Sequence, residues 1–156
     1  MASSLISGAV AIILILITGY VISTGLLVVS ETVVITQTEM SSIQENIRQT
    51  VISLNSSTVT QSGTYDMEIQ IANNGSVSFG GSDYSKMDLF IYDGSTMEKY
   101  SISTSYSLKN DLMNKGIWDP SEIIVITKTG LGNKPLWAKV ALPNGVAIST
   151  NLPEPT

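Results

Sequence analysis

From Leu5 to Val29 the chain runs through 25 positions of Leu, Ile, Val, Ala, Gly, Ser, Thr and one Tyr without a single charge. A bilayer core is crossed by roughly 20 apolar helical residues, so the run predicts a helix in a membrane or in an equally apolar surrounding. Past it the helical period persists. Val33, Met40, Ile43, Ile47, Val51 and Leu54 recur at spacings of seven, three, four, four and three, with Glu39, Gln44, Glu45, Arg48 and Gln49 between them. That is one apolar stripe on a helix. An unbroken helix from Ser3 to Leu54 would measure roughly 75 Å. Its stripe packs either on the chain's own globular domain or on like helices in a bundle, since so few heptads do not specify a coiled coil.

At Asn55-Ser56-Ser57 the period changes. Tyr65 to Ile71 alternates polar and apolar residues, which predicts a half-buried strand with Met67, Ile69 and Ile71 inward. Asn73-Asn74-Gly75-Ser76 breaks it as a turn, Lys86 to Tyr92 forms the next strand, and Asp93-Gly94 closes a hairpin. Residues 97–103, 122–127, 136–142 and 146–149 supply further strands, the last two joined through Pro143-Asn144-Gly145. With one more from 51–60 or 76–79, about seven short antiparallel strands predict an all-β, immunoglobulin-like sandwich. The expected organisation is an N-terminal helical part over 1–54, with an anchor at about 5–29 and an amphipathic extension over 30–54. A β-sandwich domain over 55–150 and a flexible tail over 151–156 follow. Trp118 and Trp137 are expected in packing roles, since an aromatic ring contributes large apolar area.

Composition narrows the chemistry. The net charge is -5 and the eight Lys and Arg do not cluster, with a pI near 4.5, which argues against nucleic acid. The chain holds no Cys and no His, removing thiol chemistry, a disulfide framework and the commonest general base and metal ligand. No catalytic residue, cofactor or metal site is therefore expected. Asp83, Asp88 and Asp93 lack the alternating ligand spacing of a calcium loop, so solvated strand faces account for them. Met1-Ala2-Ser3-Ser4 has no basic residue and the apolar run is about twice a signal-peptide core, so a retained anchor is expected. Glu31, Glu39 and Glu45 follow the span and Arg48 is the first cation, so nothing retains that flank inside and the C-terminal part is expected outside. Gly8, Ala9, Gly19 and Gly25 would let another helix approach closely, with Val33, Met40, Ile43 and Ile47 extending that helix-packing surface. As ordinary membrane-helix glycines, Gly8 and Gly19 would need no partner. Asn55-Ser56-Ser57 and Asn74-Gly75-Ser76 are N-glycosylation sequons, Asn55 the better candidate, because Asn74-Gly75 is also a turn pair.

Several segments, in order, carry a resemblance. They are Gln37 to Thr50, Ile71-Ala72-Asn73-Asn74-Gly75-Ser76, Met87 to Gly94, Ile117-Trp118-Asp119-Pro120-Ser121-Glu122 and Lys139 to Val146. With the uncharged apolar helix before them, they resemble the archaeal flagellin-like (archaellin) superfamily over nearly the whole chain. The Met-Ala-Ser-Ser start and Thr36-Gln37-Thr38-Glu39-Met40 are most similar to its accessory branch, the archaellum stator protein F type. That resemblance implies a structural component of the motility apparatus, with its helix in the cytoplasmic membrane and its β-domain outside. The implied partners are the surface-layer protein, archaellum protein G and further copies of the chain. Two alternatives stay open: a filament-forming archaellin or type IV pilin-like subunit whose helices pack in the filament core, and a membrane-tethered extracellular binding module.

Overall fold

The computed structural model describes residues 2–156, with side chains from Ile6 onward. Met1, and the side chains of residues 2–5, including Leu5 at the predicted start of the span, lie outside the described residues. Helix α1 covers Ala2–Gln49. A second helix, α2, is a single turn at Gly81–Tyr84. The strands are β1 Ile52–Ser62, β2 Thr64–Asn73, β3 Asp88–Tyr92, β4 Met97–Ser101, β5 Tyr106–Lys109, β6 Ile123–Leu131, β7 Trp137–Ala141 and β8 Ala147–Asn151. Contacts divide the chain into two compact units, Met1–Ile43 and Gln44–Thr156.

The first unit is helix alone, and its threonine hydroxyls bond the helix's own backbone. Thr18 Oγ1 donates to Leu14 O at 2.7 Å, Thr24 Oγ1 to Tyr20 O at 3.0 Å and Thr32 Oγ1 to Val28 O at 2.9 Å. Such hydroxyl bonds to the carbonyl one turn back let Thr sit in an apolar surrounding without a partner. The apolar surface is outward: Ile15 is 70% exposed and Leu27 is 68% exposed. A Cβ built at Gly8, Gly19 or Gly25 would meet nothing within 4 Å, so these glycines leave open strips on the helix.

The second unit is a β-sandwich of two four-stranded antiparallel sheets, ordered β1-β2-β6-β5 and β4-β3-β7-β8. Alternation decides which faces meet. In the first sheet Met67, Ile69 and Ile71 of β2 stand beside Ile124 and Ile126 of β6, through the pairs Ile69↔Ile126 and Ile71↔Ile124. In the second, Leu89 and Ile91 of β3 stand beside Ala138 and Val140 of β7. All nine are buried. Trp118, Tyr84, Phe79 and Met87 fill one end of this core.

Three sequence expectations are corrected. The helix stops at Gln49, so Val51 and Leu54 are not on its stripe; Leu54 lies in β1 opposite Ile71. The ladder from Ile52↔Asn73 to Ser62↔Thr64 offers this Ser/Thr-rich stretch strand partners, which overrides a spacing that merely continued by chance. Of the two places offered for one more strand, 51–60 is β1 and 76–79 makes only an isolated bridge between Phe79 and Trp118, while β5 is a strand that the period did not reveal. The tail is extended but tethered: Thr156 N donates to Val59 O at 3.0 Å and Gln61 N to Thr156 O at 3.2 Å. An edge strand such as β1 carries unpaired backbone groups that a passing segment satisfies.

Ile71→Ala, at a site with 0% exposure, should lower the sandwich's stability by about 2–5 kcal/mol. Thermal unfolding followed by near-ultraviolet circular dichroism checks this, and Ile15→Ala in the same detergent should leave that transition where it was.

Candidate functional site

The last residues of α1, from Gln44, belong to the sandwich unit, and the reason lies in two Asn-Gly turns, one from each sheet. The first follows β2. Ser76 N donates to Gln49 O at 3.0 Å and Asn74 N to Val51 O at 2.8 Å, so the turn lies directly on the chain leaving the helix. A Cβ at Gly75 would stand 2.6 Å from Val51 N and 3.2 Å from Thr50 Cα. Only glycine permits this approach. The pair Asn74-Gly75, expected as a turn for its own sake, is thus a docking turn.

Asn73 fixes that turn from within. Fully buried at 0% exposure, it donates from Nδ2 to Val77 O at 2.8 Å and Trp118 O at 3.3 Å, and accepts from Gly75 N at 3.1 Å. Its backbone N donates to Glu122 O at 3.0 Å and its carbonyl accepts from Ser121 N at 2.7 Å. A buried amide this fully satisfied orders its surroundings, whereas an unsatisfied one would destabilise them. The second turn joins β7 to β8. Asn144 Nδ2 donates to Asn46 Oδ1 at 2.8 Å and to Thr50 Oγ1 at 2.7 Å, and Thr50 Oγ1 donates in turn to Asn46 O at 2.8 Å. The helix C-terminus is therefore held by both sheets.

Behind Asn73 the loop 110–122 is braced by acids that face inward. Asp119 and Glu122 are buried, at 3% and 5% exposure. Glu122 accepts Leu112 N and Asp119 N, both at 3.0 Å. Asp119 accepts Ser78 Oγ at 2.6 Å and Asn114 Nδ2 at 2.9 Å, and these bonds, Ser78's first, hold its carboxyl below the usual carboxylate range. Trp118 Nε1 donates to Glu122 O at 3.0 Å. Tyr84 donates to Phe79 O at 3.0 Å, and burial pushes its hydroxyl up to about 12. These groups are all committed to structure.

The predicted residues fall in separate places. Asn74 and Asn55 are both exposed. Asn55 sits at the β-bulge in β1 with Nδ2 3.2 Å from Gln70 Oε1, while Asn74 Nδ2 donates to Ser53 Oγ at 2.7 Å. Val33, Met40, Ile43 and Ile47 are 48%, 59%, 57% and 41% exposed. Asp88 pairs with Lys99 Nζ at 2.9 Å, Asp83 accepts Gly80 N at 3.0 Å, and Asp93 accepts Thr96 N at 2.7 Å in the β3–β4 hairpin. Sequence reasoning missed Asn73, Asn144 and Thr50. The one available signal was the repeated Asn-Gly pair.

Two outcomes follow. Gly75→Ala should cost about 1–3 kcal/mol through backbone overlap, read as a lower urea midpoint of the sandwich. Asp119 has its folded pKa depressed, so its contribution is present above the ordinary value near 4 and is lost as pH falls through the lower folded one. The thermal midpoint should therefore drop below about pH 4, with a shallower drop in Asp119→Asn.

Neither a known family model nor any curated protein sequence matches this chain. Among solved structures it is similar to the archaellum periplasmic stator protein FlaG from Sulfolobus acidocaldarius. That match is 15% identical with a TM-score of 0.46 and covers 65% of this chain and 97% of that one. It is also similar to the archaellum periplasmic stator protein complex of FlaF and FlaG from the same organism. Here the identity is 13% and the TM-score 0.44, over 64% of this chain and 85% of that chain.

Proposed function

We propose that this chain is a structural component of the archaeal motility apparatus, a membrane-anchored stator protein of the accessory type. Its apolar helix lies in the cytoplasmic membrane and its sandwich stands outside, against the surface layer. The observation that carries the reading is the clasp at the helix C-terminus, where turns from both sheets hold residues 46–51. A rotary filament does useful work only if its motor is braced against the envelope. An uncharged apolar helix preceding a sandwich that holds the helix's last residues suits a part that anchors that sandwich. The ordered sequence segments named above support the same reading.

The partners on this reading are the surface-layer protein, archaellum protein G and other copies of the chain, with membrane lipid around residues 6–29. No substrate or cofactor enters. Asn55, exposed at an irregular point of an edge strand, is the better glycan acceptor; Asn74 would have to give up its bond to Ser53.

A second reading is favoured by one feature. Exposed apolar positions continue past a bilayer's length, through Val33, Met40, Ile43 and Ile47, and lateral helix packing would cover them, as in a filament-forming subunit. A tethered binding module is the third reading, since a sandwich hosts many functions.

Full-length protein in detergent micelles, titrated with purified surface-layer protein, tests the stator reading. Saturable, pH-dependent binding is expected. Binding no stronger than that of an unrelated micelle-borne protein would contradict it.

A further inference from the structure

The segment after β8 crosses from one sheet to the other. Leu152 begins it beside β7, packed against the core and donating from N to Leu136 O at 2.9 Å. Midway, Lys134 Nζ pairs with the Glu154 carboxylate. Thr156 then reaches β1, donating from N to Val59 O at 3.0 Å and accepting Gln61 N at 3.2 Å. One residue thus bonds two positions that lie two apart on β1, as a neighbouring parallel strand would. Three anchors make residues 152–156 a strap across the sandwich.

The strap closes the edge of β1 lightly. It takes Val59 O and Gln61 N from a strand of 11 residues, and among the described residues no other segment bonds the β1 backbone from that side. Pro153 and Pro155 have no N–H, so the strap cannot extend the ladder back from Thr156. Its ion pair is open to water, with the Glu154 side chain 87% exposed, and such a pair contributes little. An extended segment with an N–H at every position would make more bonds to the same edge, in the way that peptides add a strand to an open sheet.

We infer that the outer edge of β1 is a docking site for an extended peptide segment of a partner, and that residues 152–156 are a strap that keeps this edge shut until such a segment displaces them. The strap itself shows what the edge accepts, which is extended backbone. β1 is rich in Ser and Thr, so backbone bonds and not side-chain pockets provide the attachment. Neither α1 nor the loop 110–122 takes part, and the edge is available whatever the sandwich braces.

Full-length protein and a variant ending at Asn151, both in micelles, test this. The Gln61 amide should exchange with solvent about tenfold faster in the shortened protein, which lacks its acceptor. A fluorescein-labelled peptide, acetyl-Asn-Leu-Val-Glu-Val-Thr, carries the strap sequence with both prolines replaced. It should bind the shortened protein saturably and about tenfold more tightly than the full-length protein, whose tethered strap competes for the edge, and it should restore slow exchange at Gln61. The same peptide with its prolines kept should bind more weakly. Gln61→Pro in the shortened protein should abolish capture, since proline at an outward edge position removes the donor and is tolerated there. In the full-length chain Lys134→Glu should speed exchange at Gln61 and Glu154→Lys should reverse that, a rescue that misfolding cannot imitate. Unchanged Gln61 exchange in the shortened protein, no capture by it, equal capture by both forms, or capture untouched by Gln61→Pro would overturn the inference.

Discussion

The turn on the helix end and the Trp118 loop are organised around one satisfied amide. Asn73 is fully buried, and the groups that satisfy it come from Val77, Gly75, Trp118, Ser121 and Glu122. Its bonds set the turn that lies on Gln49 and Val51, and they hold the Trp118 loop against β2. Removing one donor would leave buried carbonyls without partners, and the desolvation cost of such groups exceeds the net gain from an ordinary hydrogen bond. The same constraint explains why Gly75 has no tolerable replacement: the turn can reach the helix end only where no side chain intervenes.

Much of this was legible in the chain. The apolar run and its polar flank gave the helix, and strict alternation in Tyr65 to Ile71 gave β2 with the inward residues that the core contains. Asp93-Gly94 marked the β3–β4 hairpin, where Gly94 takes φ 97°. The misses share a cause. Gln49 ends the helix because β1 finds β2, not because its own residues forbid another turn. Tyr106 to Lys109 is a strand only beside β6, and Thr156 is ordered only by the open edge of β1. Partners distant in sequence decide these elements, and local period carries no record of them.

The clasp was less legible still. Asn74-Gly75 and Asn144-Gly145 read as turn chemistry from local rules, and turns they are. Their common target at Asn46 to Val51 depends on both sheets closing over one core, which places two loops at the same helix end. Val33 to Ile47 presents the opposite case: the sequence marks an apolar stripe, and the structure leaves it uncovered. A helix of this kind finds its environment in lipid or in other helices.

On the stator reading proposed above, the chain is a retained, low-copy anchor and not the repeating unit of a filament. Quantitative mass spectrometry of the native N-terminal peptide and of chain abundance, comparing washed membranes with sheared extracellular filaments, tests it most directly. The account predicts enrichment in membranes at low copy with Met1 or its uncleaved precursor intact. Abundance in sheared filaments with a processed N-terminus would contradict it and make α1 the lining of a filament core.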